Sequence, residues 1–279
     1  MKIARIEVAG RITHALVEET TYRVIEGDLF DANGSGANGS GANGFGSIDA
    51  TGPVVPFEEG RLLAPVVPPQ IIAIGLNFRK HAVESGMAIP EAPLVFVKTC
   101  NTVTGPGEPI LLPAMAPEEV DYEAELVIVI GKKAKNVSRE DVADTILGYT
   151  CGNDVSARDC QLKLDKQWAR GKCFDTFAPI GPWIATGLDG DNLDIRLTVN
   201  DKVMQDSNTS DLIFSCTELV SYLSRCMTLY PGSIIMTGTP SGVGMGRDPH
   251  TYLKEGDTVT VEIEGIGSLT NRVSRESTR

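Results

Sequence analysis

An α+β fold dominated by sheet is predicted by three features of the sequence. Short runs of alternating or continuous apolar residues recur along the chain, helical signatures are few, and the two kinds do not alternate as βαβ units would require.

At the N-terminus, "KIARIEV", "HALVEE" and "TYRVIEG" alternate apolar and polar residues and predict short strands. They form a small β domain over residues 1–62. Between Asn33 and Gly44 runs "NGSGANGSGANG", a repeat without apolar content. Nothing in it offsets the entropy of ordering, so residues 33–44 are expected to be a flexible loop at a hairpin tip. Gly34, Gly36 and Gly39 satisfy GxGxxG by composition only, because no buried strand precedes them and no helix follows. The Pro-rich "LLAPVVPPQ" at 62–70 marks a boundary, beyond which residues 63–279 form the larger domain.

In that domain "IIAIGL", "LVFVK", "AELVIVIG", "LDIRLTV", "SIIMTG" and "DTVTVEIEG" read as strands. Helices are expected at "FRKHAVESG" (78–86), at the Ser-capped "SREDVADTILG" and at the amphipathic "CTELVSYLSRCMTL" (216–229).

The chain has 279 residues, 42% hydrophobic and 22% charged, ordinary values for a globular protein. A net charge of −12 argues against nucleic acid or an anionic membrane as partner, since both need a basic patch. An anionic substrate would need a local cation. The six cysteines form no CxxC pair and read as buried free thiols of a reducing cytoplasm. No stretch approaches a membrane span, and the N-terminus lacks the form of a signal peptide.

Chemistry concentrates in a few segments. In "VDYEAELVIVIG" the period of a strand puts Glu123 and Glu125 on one side, at the start of a run that looks buried on both faces. Two such carboxylates repel unless a cation lies between them. Alone, the pair is more often a solvated strand edge. Asp154 in "GYTCGNDVSARD" ends a strand, where it can edge a cavity or cap a helix. Three oxygen donors of this kind would suit Mg²⁺ or Mn²⁺ better than zinc. His81 and Glu84, three apart, can pair on a helix so that Glu84 sets the imidazole tautomer, although a surface pair is the commoner outcome. Arg158 and Gln161 follow Asp154 by four and seven residues and could share a helix face with it. Lys172 sits among apolar and aromatic residues. "MTGTPSGVGMG", with Gly238 and Thr239, is either a tight turn or a nest for an anionic oxygen.

Together, "GLNFRKHAVES", "FVKTCNTVTGPGEPI", "DYEAELVIVIG", "GYTCGNDVSARD", "QWARGKCFDTFAPIGPWI", "IIMTGTPSGVG" and "LKEGDTVTVEIEGIGSLTN" resemble the fumarylacetoacetate hydrolase family in order and content, over residues 71–271. The resemblance implies a mixed β-sandwich roll, usually a homodimer. It implies that Glu123, Glu125 and Asp154 bind Mg²⁺ (or Mn²⁺), and that His81 and Glu84 form a catalytic dyad on a short lid helix. Lys172 would polarise the keto oxygen of a small anionic 2-oxo acid, while Arg158, Gln161 and Thr239 contact its carboxylate and oxo groups. Gly238 would line the same nest. Longer members carry a further Asp seven residues before the catalytic His; here that position is Ile74. The expected reaction is hydrolysis of the C–C bond of a 2,4-dioxo acid through a pyruvate enolate. Oxaloacetate decarboxylation, or isomerisation of an unsaturated 2-hydroxy dioic acid, is the alternative on the same site. A catalytically silent binding protein is the remote one.

Overall fold

The computed structural model describes residues 1–30, 48 and 50–277, so the repeat expected at 33–44 lies outside the described residues. A mixed sheet forms the frame. Its strands run, in spatial order, Val54–Pro56, Thr21–Val24, Arg11–Val17, Lys2–Val8, Ala178–Ala185, Ile146–Asn153, Ala124–Ile130, Ile234–Met236, Ile71–Ile74 and Val95–Lys98. A second sheet contains Lys202–Asn208, Asp194–Val199, Thr258–Ile263, Gly267–Arg275 and Ile110–Leu112. The fold is the sheet-rich sandwich that the sequence predicts.

Strand Ala124–Ile130 explains the architecture. All seven of its residues are buried, as a continuous apolar run requires. Leu126, Ile128 and Ile130 face Ile195, Leu197, Val261 and Ile263 of the second sheet, together with Leu219, Val220 and Leu223 of a helix. Val127 and Val129 face the other way, against Ile71, Ala73, Ile234 and Met236. Full burial of each such aliphatic side chain stabilises by about 1.5–3 kcal/mol. The strand is therefore a rigid base for the residues that precede it. By the same alternation Glu125 lies on the side of Val127, which places it beside the strands Ile71–Ile74 and Ile234–Met236.

The N-terminal strands extend this sheet. Lys2 and Ile3 pair with Ala185 and Ile184, while Ala4 and Ile6 turn into a small core with Ala15, Tyr22 and Val55.

The helix Cys216–Cys226 forms as expected, held at its start by a capping box between Ser215 and Glu218. The helix Arg79–Glu84 forms as well. The one expected at "SREDVADTILG" does not: Val142–Asp144 makes a single 3₁₀ turn, and Ile146 already opens a strand. The β-branched and aromatic content of "ILGYTCGN", paired on both sides within the sheet, overrides a local cap signal there. Strand Ala178–Ala185 is hidden in the sequence by Pro179 and Pro182. Of the free cysteines, Cys151, Cys160 and Cys216 are buried and Cys173 is half-buried, whereas Cys100 and Cys226 are exposed, contrary to the expectation that all six are buried. Cys100 opens a 3₁₀ turn at the surface, and Cys226 ends an amphipathic helix on its solvent side. No helix among the described residues is long and apolar enough to cross a membrane.

Candidate active site

Antiparallel register brings the acids together. Ala124 is paired with Asn153 and Glu125 with Gly152, so Glu123 stands opposite Asp154, whose amide donates to the Glu123 carbonyl at 2.9 Å. The Asn153 side chain accepts from the Glu123 amide at 2.9 Å and fixes the strand end. Carboxylate oxygens of Glu123, Glu125 and Asp154 all lie within 4.8 Å of one another, and all three residues are buried.

Cations surround the acids. Lys172 Nζ donates to Glu123 Oε2 at 2.8 Å and to Asp154 Oδ2 at 2.7 Å. Lys98 Nζ donates to Asp154 Oδ1 and, at 2.9 Å, to the Phe177 carbonyl. Arg158 donates from Nε to Asp121 Oδ2 at 2.9 Å and from Nη1 to Gln161 Oε1 at 2.9 Å. Its Nη2 sits 2.7 Å from Glu123 Oε1 as an ion pair, without a well-aligned N–H. Four acidic side chains, Asp121, Glu123, Glu125 and Asp154, thus face three cationic ones, Lys98, Lys172 and Arg158.

Electrostatics divides the two glutamates. Burial alone would raise the Glu123 carboxyl, but the Lys172 ammonium and Arg158 guanidinium outweigh it and hold it at about 2. Glu125 has no such partner. Burial, then the charges of Asp154 and Glu123, push its carboxyl well above the usual range. Burial would also lower Lys172, yet Asp154 and Glu123 raise it and keep it an ammonium. A carboxyl left under-neutralised beside two carboxylates, in an oxygen-only donor set, is the environment that a hard divalent cation completes. Ile74, buried in the core, offers no further acid.

His81 Nδ1 lies 2.9 Å from Glu84 Oε2, and the Gly242 amide donates to Glu84 Oε1 at 2.8 Å. With Glu84 as acceptor, the proton sits on Nδ1 and Nε2 carries the lone pair. The helix is anchored at its start. Asn77, fully buried, donates to the Phe214 and Thr237 carbonyls, and the Lys80 amide donates to Asp211 Oδ2. His81 is 8% exposed.

The residues singled out in the sequence therefore lie in one connected region, but two have other partners than anticipated and one expected helix face is absent. Arg158 is committed to Asp121, Glu123 and Gln161 rather than left open for an anion. The Gly238 amide is used by Glu125 Oε2, at 2.9 Å. Asp154, Arg158 and Gln161 do not share a helix face: Asp154 follows a strand, Ser156–Ala157 is a short strand, and Asp159–Leu164 is a wide π-helical turn. Arg158 and Gln161 meet nonetheless.

Sequence reasoning missed Asp121, Lys98 and Gln205. Asp121 accepts from Arg158 and from the amides of Gly244 and Met245, and so ties the acids to the Gly-rich loop. It stands two residues before Glu123, and the alternation that singled out Glu125 would have found it. Lys98 ends an apolar strand, a weaker sign. Gln205 carries no local signal.

The family model described as Fumarylacetoacetate (FAA) hydrolase C-terminal matches residues 70–274, and one described as Rv2993c-like, N-terminal, matches residues 1–65. The fumarylacetoacetate hydrolase domain-containing protein 2 homolog of Dictyostelium discoideum is 51% identical over 232 residues, 78% of this chain and 76% of that protein. The mitochondrial oxaloacetate tautomerase fahd2 of Xenopus laevis is 46% identical over 217 residues, 76% of this chain and 68% of that protein. Among solved structures, 5-carboxymethyl-2-hydroxymuconate delta-isomerase from Mycobacterium smegmatis superposes with a TM-score of 0.85 at 40% identity, covering 99% of this chain and 100% of that one.

Proposed function

The chain belongs to the fumarylacetoacetate hydrolase family, and on that basis we propose that it is a divalent-metal enzyme that enolises small anionic 2-oxo acids, with keto–enol tautomerisation of oxaloacetate-type dicarboxylates as its reaction. The observation that carries this reading is the buried meeting of Glu123, Glu125 and Asp154 around Lys172. The names of the Xenopus and Mycobacterium relatives, a tautomerase and an isomerase, support proton transfer as the chemistry.

Glu123, Glu125 and Asp154 would hold Mg²⁺ or Mn²⁺, which supplies Lewis-acid polarisation of the carboxylate and keto oxygens. His81 Nε2 takes a proton from C3 while Glu84 keeps Nδ1 protonated and steadies the imidazolium. Lys172 has committed two of its three N–H groups, and its ammonium would stabilise the negative charge gathering on the C2 oxygen. The imidazolium of His81 returns that proton to the C2 oxygen, which restores its Nε2 lone pair, and the enol leaves. The C3–H bond has broken and an O–H bond has formed, with no co-reactant.

A second reading, hydrolysis of 2,4-dioxo acids of the acylpyruvate or fumarylpyruvate type, is favoured by the complete His81–Glu84 pair. In it His81 takes a proton from water, hydroxide adds to C4, and the C3–C4 bond breaks to a carboxylic acid and the enolate of pyruvate, protonated at C3. Incubation with oxaloacetate and with an acylpyruvate in Mg²⁺, followed by NMR, separates the two. Tautomerisation relaxes keto and enol forms without new acids, whereas hydrolysis yields pyruvate and a carboxylate. Neither above the protein-free blank sinks both readings. The reading includes a cytoplasmic homodimer, for which the edge strand Val95–Lys98, with Val95 and Val97 exposed, is the supporting surface; light scattering tests it.

A further inference from the structure

Gln205 sits on the second sheet, 1% exposed, yet its amide reaches into the site. Its Oε1 accepts from the amide of Ala124, the residue between Glu123 and Glu125, at 2.8 Å. Its Nε2 donates to the Pro240 carbonyl and to Thr239 Oγ1, both at 2.8 Å. The orientation of this side chain is not arbitrary. A backbone N–H can only donate and a backbone carbonyl can only accept, so Ala124 and Pro240 leave one way round for the amide. Thr239 Oγ1 must then be an acceptor toward Gln205, and its own proton points elsewhere. That hydroxyl proton has no acceptor among the described residues, although Thr239 is 1% exposed.

The same logic operates across the site. Arg158 Nη1 donates to Gln161 Oε1, so Gln161 Nε2 lies on the other side of the amide, without a partner among the described residues. Two buried donors, Gln205 and Arg158, thus each occupy a lone pair of a neighbour and leave that neighbour's N–H or O–H free to donate. Such a pair suits a carboxylate and discriminates against a ligand group that must itself donate.

We propose that Gln205 is a positioning residue that fixes the Thr239 hydroxyl as a donor to the carboxylate of the 2-oxo acid. The inference rests on the proposed function, together with the contact between Thr239 and the substrate that the family resemblance implies. Gln205 itself touches no substrate; it couples the strand that carries Glu123 and Glu125 to the loop that carries Thr239.

The test is a cycle of variants in the full-length protein, with binding of oxalate in saturating Mg²⁺ read by calorimetry. Gln205→Glu keeps an acceptor for Ala124 but takes the Thr239 proton itself, and Thr239→Val removes the hydroxyl. Each single change is expected to weaken oxalate by about tenfold or more, and the double variant by no more than Thr239→Val alone. In Thr239→Val and Gln205→Met, which add no charge, Mg²⁺ affinity in the absence of oxalate should stay within about threefold of wild type, which loss of structure would not allow. Gln205→Met, which loses the donor without adding charge, gives the same readout should the carboxylate variant not fold. Additive losses in the double variant, or oxalate affinity unchanged by either Gln205 substitution while Thr239→Val loses it, overturn the assignment of Gln205 alone. Failure of wild type to bind oxalate in Mg²⁺ overturns the functional reading beneath it.

Discussion

The Gly242 amide donates to Glu84 Oε1 at 2.8 Å while Glu84 Oε2 holds His81 Nδ1 at 2.9 Å, so one carboxylate joins the imidazole to the Gly-rich loop. That loop is itself bound to Asp121 through Gly244 and Met245, and Asp121 holds Arg158. The dyad and the acidic cluster are therefore two ends of one hydrogen-bonded frame.

The tightness of this frame is testable at Gly246. A Cβ there would lie 2.7 Å from Glu84 Cδ and 2.8 Å from Oε1, displacing the carboxylate from His81. Gly246→Ala is expected to lower kcat/KM by about tenfold to a hundredfold with a small change in melting temperature. His81→Ala should lower the rate by ~10²-fold or more. Full activity in Gly246→Ala, with His81→Ala inactive, would mean that Glu84 does not orient the base.

Lys172 should trade stability against metal dependence. Lys172→Met leaves Glu123 and Asp154 without their shared ammonium, and one-sided loss of a buried pair costs about 3–5 kcal/mol. Wild type at a hundredfold excess of Mg²⁺ over Kd gains about 2.7 kcal/mol, about 5–10 °C in Tm. The variant is expected to melt lower than wild type without the ion, to recover more of its Tm with it, and to lose activity by ~10²-fold. In Glu123→Ala the Mg²⁺ shift should vanish. Thermal denaturation with and without Mg²⁺ decides both, and an equal Mg²⁺ shift in all three proteins would contradict the arrangement.

Glu125 predicts a pH dependence of known sign. Its carboxyl is raised by burial and by Asp154 and Glu123, so the ion-free protein retains this proton above the ordinary carboxyl range. A cation binds the carboxylate form, so Mg²⁺ expels the proton and its apparent affinity climbs with pH until the raised pKa is passed. Calorimetry in buffers of differing ionisation enthalpy should detect proton release at the acid end of about pH 5–8, absent in Glu125→Gln. An affinity flat over that range, with no proton released, counts against the charge balance described here.

The legible part of this molecule is the part governed by local periodicity. Glu123 and Glu125 follow from the period of a strand, and the buried run Leu126–Ile130 follows from its apolar content. His81 and Glu84 follow from helical spacing. What could not be read depends on register between distant segments. Nothing near Gln205 announces that it will meet Ala124 and Thr239, because that contact exists only once the second sheet lies on the first. Arg158 was recognisable as important but not as fully engaged, since Asp121 and Glu123 reach it from another strand. The helix expected near Ser138 failed for the same reason: sheet pairing on both sides of Ile146–Asn153 outweighed a cap.

Diffraction from crystals soaked in Mn²⁺, with the anomalous signal located, tests the core of the account. One peak bonded to an oxygen of each of Glu123, Glu125 and Asp154 is the expected result. No peak among them at saturating Mn²⁺, or an ion held elsewhere with these acids still bridged by Lys172 alone, would contradict it.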